Sequence, residues 1–368
     1  MNGILNYRNG SVVNCFNAKK IDGGVMLHVV GAADATADVT FNGIPAKRNN
    51  LLAEAEIPVT QSRDAITMEI DHPLHGKIQQ TVQIRYDRNE EKRYNFFIDD
   101  NIFCMTDIAR EKPKSLFDHF YMRFLRDMNR KYGTCFTLNL FYKNDHDPFE
   151  LKDFPESYKN EFKDNANWLK LSFHAYSEFP DRPYQNAANE KLSADFDLLK
   201  NEICRFAGED SFIPPVALHW SMAKPEGLDV LHEKGVRVLC AQFSKPKTSL
   251  SEKTDGEKIY DIGYFCSPEE FHYLEQTAMF HNFKHDITFL KSTLICNYYT
   301  PGQIVDVIQQ EVHNNSGFLA LETHEQYSYP YYFNYLPDHL QRIEQSISTA
   351  TDMGYKPVFF ANDFMKEC

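Results

Sequence analysis

Long apolar runs, cationic runs and paired cysteines are all missing from this 368-residue chain. No window reaches the ~20 residues that a membrane-spanning helix needs. The opening stretch "MNGILNYRNGSVVNCFNAKK" lacks the basic segment followed by an apolar one that marks a secretory leader. Lys and Arg number 39 against 52 Asp and Glu, giving a net charge of -13, and no cluster of basic residues forms a cationic stripe. That argues against nucleic acid or an anionic membrane as principal partner and favours an uncharged or cationic ligand. The eight cysteines (Cys15, Cys104, Cys135, Cys204, Cys240, Cys266, Cys296, Cys368) stand singly with no C-x-x-C, which removes thiolate zinc sites and redox motifs from consideration. Several lie in apolar strand-like runs, where a free Cys behaves as a small hydrophobe. These absences lead to the expectation of a reducing, cytoplasmic location, and they carry no signal for an oligomeric state.

What the chain has instead is aromatic mass: 29 Phe and 20 Tyr, but only two Trp. That suits a large core or a sugar-stacking cleft, and the length suits two domains of roughly 150 residues each. Residues 1 to about 90 read as strands only. "AITMEI" alternates Ile66, Met68 and Ile70 against polar neighbours, and "KIQQTVQIRYD" alternates through Ile78, Val82, Ile84 and Tyr86, the period of strands with one buried face. Asn42-Gly43 follows a β-rich run and tolerates the positive φ of a tight hairpin turn. A small immunoglobulin-like β-sandwich over 1–90 is expected, with the polar run "DRNEEKRYN" (87–95) as a linker.

From Phe96 the pattern changes to short apolar runs between amphipathic stretches, as in a parallel α/β architecture. The strand candidates are "FFID", "TCFTLNLFY", "WLKLSFHA", "PVALHW", "VRVLCA", "GFLALETH" and "KPVFFAN". Helix candidates are "SLFDHFYMRFLRDMNRKYG", "NEKLSADFDLLKNEICRFAG", "EGLDVLHEKG", "PGQIVDVIQQEVHNN" and "LPDHLQRIEQSISTATDMG". Seven or so βα units on one core point to a distorted, incomplete (β/α)7-type barrel over 96–368 rather than an open sheet.

The C-terminal ends of parallel strands converge on one rim, which gathers Asp99 and Asp100, His174, His219, and Glu322 with His324. Taken alone, "FFIDDN" also fits a solvated turn whose Asp caps a helix. In "FHAYSEFPDRPY", His174 and Glu178 stand four residues apart, close enough on a helical turn to share a cation, and Asp181 and Arg182 follow. The loop "EQYSYPYYFNYLP" (325–337) holds tyrosines including Tyr327 that either stack on a sugar or pack as a lid.

The order "FFIDDN", "LSFHAYSE", "PPVALHWSMAKPEG", "FLALETHEQ" resembles the motif series of the NodB-like polysaccharide deacetylases, a superfamily of carbohydrate esterases, across about residues 96–363. The resemblance implies a distorted β/α barrel that removes N- or O-acetyl groups from glycans. It assigns Asp99 as catalytic base, Asp100 with His174 and Glu178 as ligands of a divalent metal, zinc first among the candidates, and His324 as general acid. Trp220, His219, Arg182, Tyr327 and Glu322 become substrate-binding candidates. Two departures stand out. Glu178 occupies the place of the family's second metal-binding His, leaving Glu178, Asp181 and His219 all eligible as third ligand. The family's Arg-x-Pro is replaced by "IPPVALHW", so that either Arg182 from the preceding loop orients the base or the base goes without an orienting Arg. Strand alternation is expected to aim Asp99 and Asp100 differently, one toward base chemistry and one toward the metal. Two other readings stay open: a glycan-binding or scaffolding protein that has lost its metal, and a metal-free glycoside hydrolase using Asp99 and Glu322.

Overall fold

The computed structural model describes residues 2–243, 263–264, 266–312 and 317–365. It is a mixed α/β fold with several sheets. Among the described residues before Asp87, all regular elements are strands. Gly24–Ala32 pairs antiparallel with Leu52–Val59 in one sheet, and Arg63–His72 pairs antiparallel with Gly76–Tyr86 and with Asp38–Phe41 in a second. Inward-facing Val25, Leu27 and Val29 from the first sheet meet Ile66, Met68, Ile70, Val82 and Ile84 from the second in one buried cluster. The alternation read from the sequence is therefore the burial pattern. Asn42 (φ 49°) and Gly43 (φ 77°) close the turn between Asp38–Phe41 and Ile44–Pro45, a conformation that strongly favours Gly and Asn.

The second sheet does not stop at residue 90. Ser11–Val13 lies parallel to Gly76–Tyr86 and bridges to Met279–Asn282, which pairs with Ile287–Lys291, which in turn pairs with Val238–Ala241. One eight-stranded sheet thus runs across the boundary expected between the two halves. The segment expected as a polar linker is packed at both ends, with only Glu90, Glu91 and Lys92 exposed between them. Asp87 and Arg93 are buried, the Arg93 guanidinium donates to the Asp87 carboxylate and to the Phe364 carbonyl at 2.8 Å, and it lies 4.5 Å from the Phe364 ring centre. The strand that follows, Arg93–Asn101, is buried along its whole length.

A separate parallel sheet has the order Leu169–Ala175, Phe136–Phe141, Arg93–Asn101, Phe318–His324, Leu294–Ile295, with Lys356–Pro357 added beside Arg93 and Tyr94. The expected strand "PVALHW" is not one. Pro214 and Pro215 have no N–H to give a ladder, so the backbone bonding of the segment is reduced to Ile213 N–H to Leu171 O at 3.0 Å and Cys240 N–H to Val216 O at 2.6 Å. It ends in a 3-10 turn, His219–Ser221, with Trp220 (φ 60°) and Ser221 (φ 48°) both left-handed. Ser292 N–H to Ala241 O (2.7 Å) and Thr293 N–H to Ala320 O (2.9 Å) carry the bonding on to Phe318–His324. "KPVFFAN" contributes only Lys356–Pro357 as strand. Phe360–Asp363 then turns helical, and Phe360 and Phe364 pack on Phe318.

Helices Phe120–Tyr132, Asn189–Phe206, Pro225–Glu233, Pro301–Val312 and His339–Asp352 stand where the periodicity predicts them; residues 313–315 of the fourth lie outside the described residues. No described helix is long and apolar enough to cross a membrane. The Phe103–Glu111 helix, which the sequence offers only as the alternative in which an Asp of "FFIDDN" is the cap, starts at Ile102 and has no side-chain cap of its own. Its first donors are met by the buried Glu325 carboxylate, which accepts from Ile102 N–H (2.7 Å), Phe103 N–H (2.9 Å) and Cys104 N–H (2.7 Å). A carboxylate there satisfies otherwise orphaned amides and complements the positive end of the helix dipole.

Two stability predictions follow from these placements. Glu325→Ala strands three buried amides at about 1–3 kcal/mol each, so urea unfolding should show a loss of about 3 kcal/mol or more, with Glu325→Gln losing less because an acceptor remains. Burial also pushes His281 down to about 3 and His339 down to about 3, whereas an unfolded chain binds those protons near pH 6.5. The unfolded state gains protons that the fold refuses, so stability should fall progressively from about pH 6.5 toward about pH 3. A urea midpoint that stays constant between about pH 7 and about pH 5 would contradict the neutral burial of these two rings.

Candidate active site

The two adjacent acids sit on an irregular turn of backbone. Arg93–Asn101 pairs in register with Phe136–Phe141 as far as Ile98 opposite Leu138, and pairing resumes with Asn101 opposite Leu140. One extra residue is therefore inserted, a β-bulge, and Asp100 within it is left-handed (φ 59°). The Asn101 amide donates to the carbonyls of Ile98 and, at 3.2 Å, Asn139, tying the bulge to its neighbour. The alternation expected to separate Asp99 from Asp100 is broken here, and both line one cavity of about 230 Å³.

Around that cavity the side chains form two groups. In the first, Asp100 Oδ1, His174 Nε2 and His219 Nδ1 make a triangle with edges of 3.1, 3.2 and 3.3 Å. His174 comes from the end of Leu169–Ala175 and His219 from the 3-10 turn. Each ring is oriented through its other nitrogen: His174 Nδ1 lies 3.4 Å from Ala217 O, and His219 Nε2 lies 3.0 Å from Glu178 O. If those nitrogens carry the protons, the lone pairs of His174 Nε2 and His219 Nδ1 face Asp100. Edges near 3.2 Å match a tetrahedral face around a cation with ligand bonds of about 2.0 Å, and two imidazoles with a carboxylate suit zinc and its first-row neighbours. In the opposite tautomers, with protons on the two facing nitrogens, burial still pushes Asp100 upward, but hydrogen bonds from His174 and His219 outweigh it and hold the carboxyl well below the usual range. Burial takes His174 down to about 4.

The second group is Asp99, Glu322 and His324, whose ligand-type atoms lie within 4.8 Å of one another. Asp99 accepts from Asn139 Nδ2 at 2.6 Å, and Glu322 accepts from Ser292 Oγ at 3.0 Å. Burial, then the charge of Glu322, drive Asp99 well above the ordinary carboxyl range, and burial raises Glu322 as well. Two such carboxyls retain protons that isolated ones would lose. His324 Nδ1 lies 3.1 Å from Asn297 Oδ1, which leaves Nε2 as the edge available for chemistry; burial pushes this ring down, against the opposing charge of Asp100.

The other sequence candidates fall into place around these groups. Glu178, expected as a metal ligand, lies on the cavity wall but outside the triangle: its carboxylate is held by His146 Nε2 at 2.5 Å and Gln326 Nε2 at 2.8 Å. The chain turns after His174 without forming a helix, so the i, i+4 geometry is not made. His219, expected to bind substrate, takes the third corner instead. Arg182 stacks 5.0 Å from the Trp220 ring rather than bonding to Asp99, whose orienting partner is Asn139. Glu322 stands beside Asp99 and is part of the proton-holding pair. Trp220 and Tyr327 line the cavity together with Tyr298 and Tyr332. Asn139, Ser292 and Asn297 were not anticipated. Asn139 left a trace, as the one amide inside the apolar run "FTLNLF", all of it buried.

No protein-family model matches the chain, and no curated protein does. Among solved structures it is similar to a 4-alpha-glucanotransferase from Thermococcus litoralis, with a TM-score of 0.45 and 11% identity over 74% of this chain and 40% of that one. It is also similar to a Bacteroides ovatus GH5 xyloglucanase (TM-score 0.27, 9% identity, 96% of this chain and 99% of that one). A third is a carbohydrate acetylesterase from Xanthomonas citri (TM-score 0.21, 9% identity, 96% of this chain and 75% of that one). These neighbours are carbohydrate-active enzymes, and the chain spans less than half the length of the glucanotransferase.

The triangle makes a clear distinction between His219 and Glu178. After loading with zinc and desalting, His219→Ala should retain far less than the roughly one equivalent expected of the intact site, while Glu178→Gln should keep its metal. Elemental analysis of the two variants beside the parent checks this; metal lost from Glu178→Gln and kept in His219→Ala would restore Glu178 as the ligand.

Proposed function

We propose that the protein is a metal-dependent hydrolase that removes acetyl groups from a glycan, on a distorted and incomplete β/α barrel preceded by an immunoglobulin-like sandwich. The observation that carries this reading is the Asp100, His174, His219 triangle standing directly beside the Asp99, Glu322, His324 group in one cavity. The hydrogen bonds linking the 213–216 segment, Val238–Ala241 and residues 292–293 to the parallel sheet support the barrel. The aromatic wall of Trp220, Tyr298, Tyr327 and Tyr332 supports a sugar ligand, whose flat C–H face packs on such rings.

Asp100, His174 and His219 would hold the cation, which when bound supplies Lewis acidity toward an acyl oxygen and lowers the pKa of water. Asp99 takes the proton of the attacking water onto its carboxylate, with Asn139 fixing the orientation of that carboxylate. Attack on the acetyl carbon turns the carbonyl into an oxyanion. His324, as imidazolium, gives its Nε2 proton to the departing amine or alkoxide, while the Nδ1–H contact with Asn297 keeps the ring turned toward the cavity. Acetate and the freed amine or hydroxyl are the products.

Acetate release from acetylated oligosaccharides is the direct test. Asp100→Ala should abolish both release and metal binding. Release by that variant at the parent rate would overturn the proposal; glycan binding without release by the parent would favour the binding-protein reading, and new reducing ends without acetate would favour the glycoside hydrolase. Asp99→Asn should lower kcat by about 10²–10⁴-fold with metal retained. The rate requires ionised Asp99 and charged His324, so it should fall on both sides of an optimum. Glu322→Gln removes a negative charge that raises Asp99, so the acid limb of the profile should move to lower pH; a shift to higher pH would contradict the pairing.

A further inference from the structure

A second cavity, of about 370 Å³, shares no lining residue with the candidate active site. Its place in the fold is defined by two parallel strands. Val238 and Thr288, near the starts of Val238–Ala241 and Ile287–Lys291, line it, whereas Gln242 and Ser292, just beyond the ends of those strands, belong to the catalytic side. The two cavities therefore open at opposite ends of the same strands.

The charged lining is three arginines, Arg63, Arg85 and Arg237, against one carboxylate, Asp286, an excess of two positive charges in a chain whose net charge is -13. Arg85 is only 4% exposed, and its guanidinium donates to Ser62 O at 3.2 Å. Arg237 is steadied by bonds to His232 O (2.7 Å) and Val236 O (2.9 Å), and Arg63 is paired with Asp286. A buried polar edge also belongs to this lining. His281 is 2% exposed and engages Thr288 Oγ1 through Nδ1 at 3.0 Å, but its Nε2 makes no hydrogen bond among the described residues, though Asp286 Oδ1 is 3.4 Å away. Arg85 is buried while Arg63 and Arg237 are exposed at the mouth, so three guanidinium groups converge on one cavity, and planar guanidinium forks match the oxygens of a phosphate. The volume falls within the roughly 300–1,000 Å³ of small-molecule sites, larger than a bare oxyanion needs.

We infer that this cavity binds a phosphate group, with Arg63, Arg85 and Arg237 supplying the charge and the cavity accommodating a small molecule that carries the phosphate. The site is independent of the deacetylase reading. Asp286 works against the anion in two ways: it repels it and it occupies Arg63.

Calorimetric titration of the intact protein at constant ionic strength, with inorganic phosphate in one arm and glucose 6-phosphate in the other, tests the site. The expected result is saturable binding in at least one arm, weakened about tenfold or more by Arg63→Gln and by Arg237→Gln, both at the rim, and tightened by Asp286→Asn. Tightening cannot arise from a misfolded variant, so the opposed signs separate the site from general damage. Stronger binding of the ester than of free phosphate identifies a phosphorylated small molecule as ligand; equal binding identifies the phosphate alone. Absence of binding in both arms up to about 10 mM, or binding unaffected by the arginine variants, would overturn the assignment.

Discussion

A single left-handed residue, Asp100, is the constraint on which the site depends. Regular strand geometry would send consecutive side chains to opposite faces. The extra residue at the Ile98–Asn101 bulge turns Asp99 and Asp100 into the same cavity. Two neighbouring carboxylates in a buried place repel, and the surroundings resolve the conflict by making them unlike. Asp100 faces two imidazoles and stays ionised; Asp99 faces Glu322 and is driven toward protonation. The division of labour proposed for the pair is thus set by environment, since the two residues are chemically identical.

Immediately after the bulge the chain enters the Phe103–Glu111 helix, and Glu325 accepts its first three donors from the end of the adjacent strand Phe318–His324. Glu325 directly follows His324, so the contact that completes the helix also anchors the strand end from which His324 projects. His339 extends the anchorage, bonding Thr323 Oγ1 and Ser328 Oγ at 2.7 Å each. Helix capping and placement of the proposed acid are two effects of one hydrogen-bonded cluster.

Much of this was legible in the sequence because burial writes a period into it. The alternation at Ile66, Met68 and Ile70 gave strand and face together, and long amphipathic stretches such as 189–206 gave helices. The polar residues at strand ends were also found, because an acid or a histidine closing an apolar run is conspicuous. Three things were not legible. The strand assignment at "PVALHW" failed because hydrophobicity overrode the missing donors of Pro214 and Pro215. Continuity of the eight-stranded sheet into Met279–Asn282 rests on one bridge between Ser11 and Phe280, residues far apart in the chain with no local trace of each other. The helical turn that the His174–Glu178 spacing suggested is not made, because the backbone after His174 does not turn helically.

That last difference changes what the triangle does for the fold. A His-x-x-x-His pair draws both imidazoles from one stretch of chain, so a cation bound there ties a loop to a strand. Here the corners come from three separate segments: the bulge at Asp100, the end of Leu169–Ala175, and the turn at His219. The third of these is the segment that the prolines keep out of the ladder, held on either side by single backbone bonds. On the proposed reading, ligation at His219 supplies a cross-link that the missing strand cannot, and free energy of cation binding becomes free energy of holding this segment against the sheet. Glu178 then belongs to the same device without touching the cation, since its carbonyl orients His219 while its carboxylate is fixed by His146 and Gln326. Moving the ligand from position 178 to position 219 thus transfers the cross-link from one loop to the gap in the sheet.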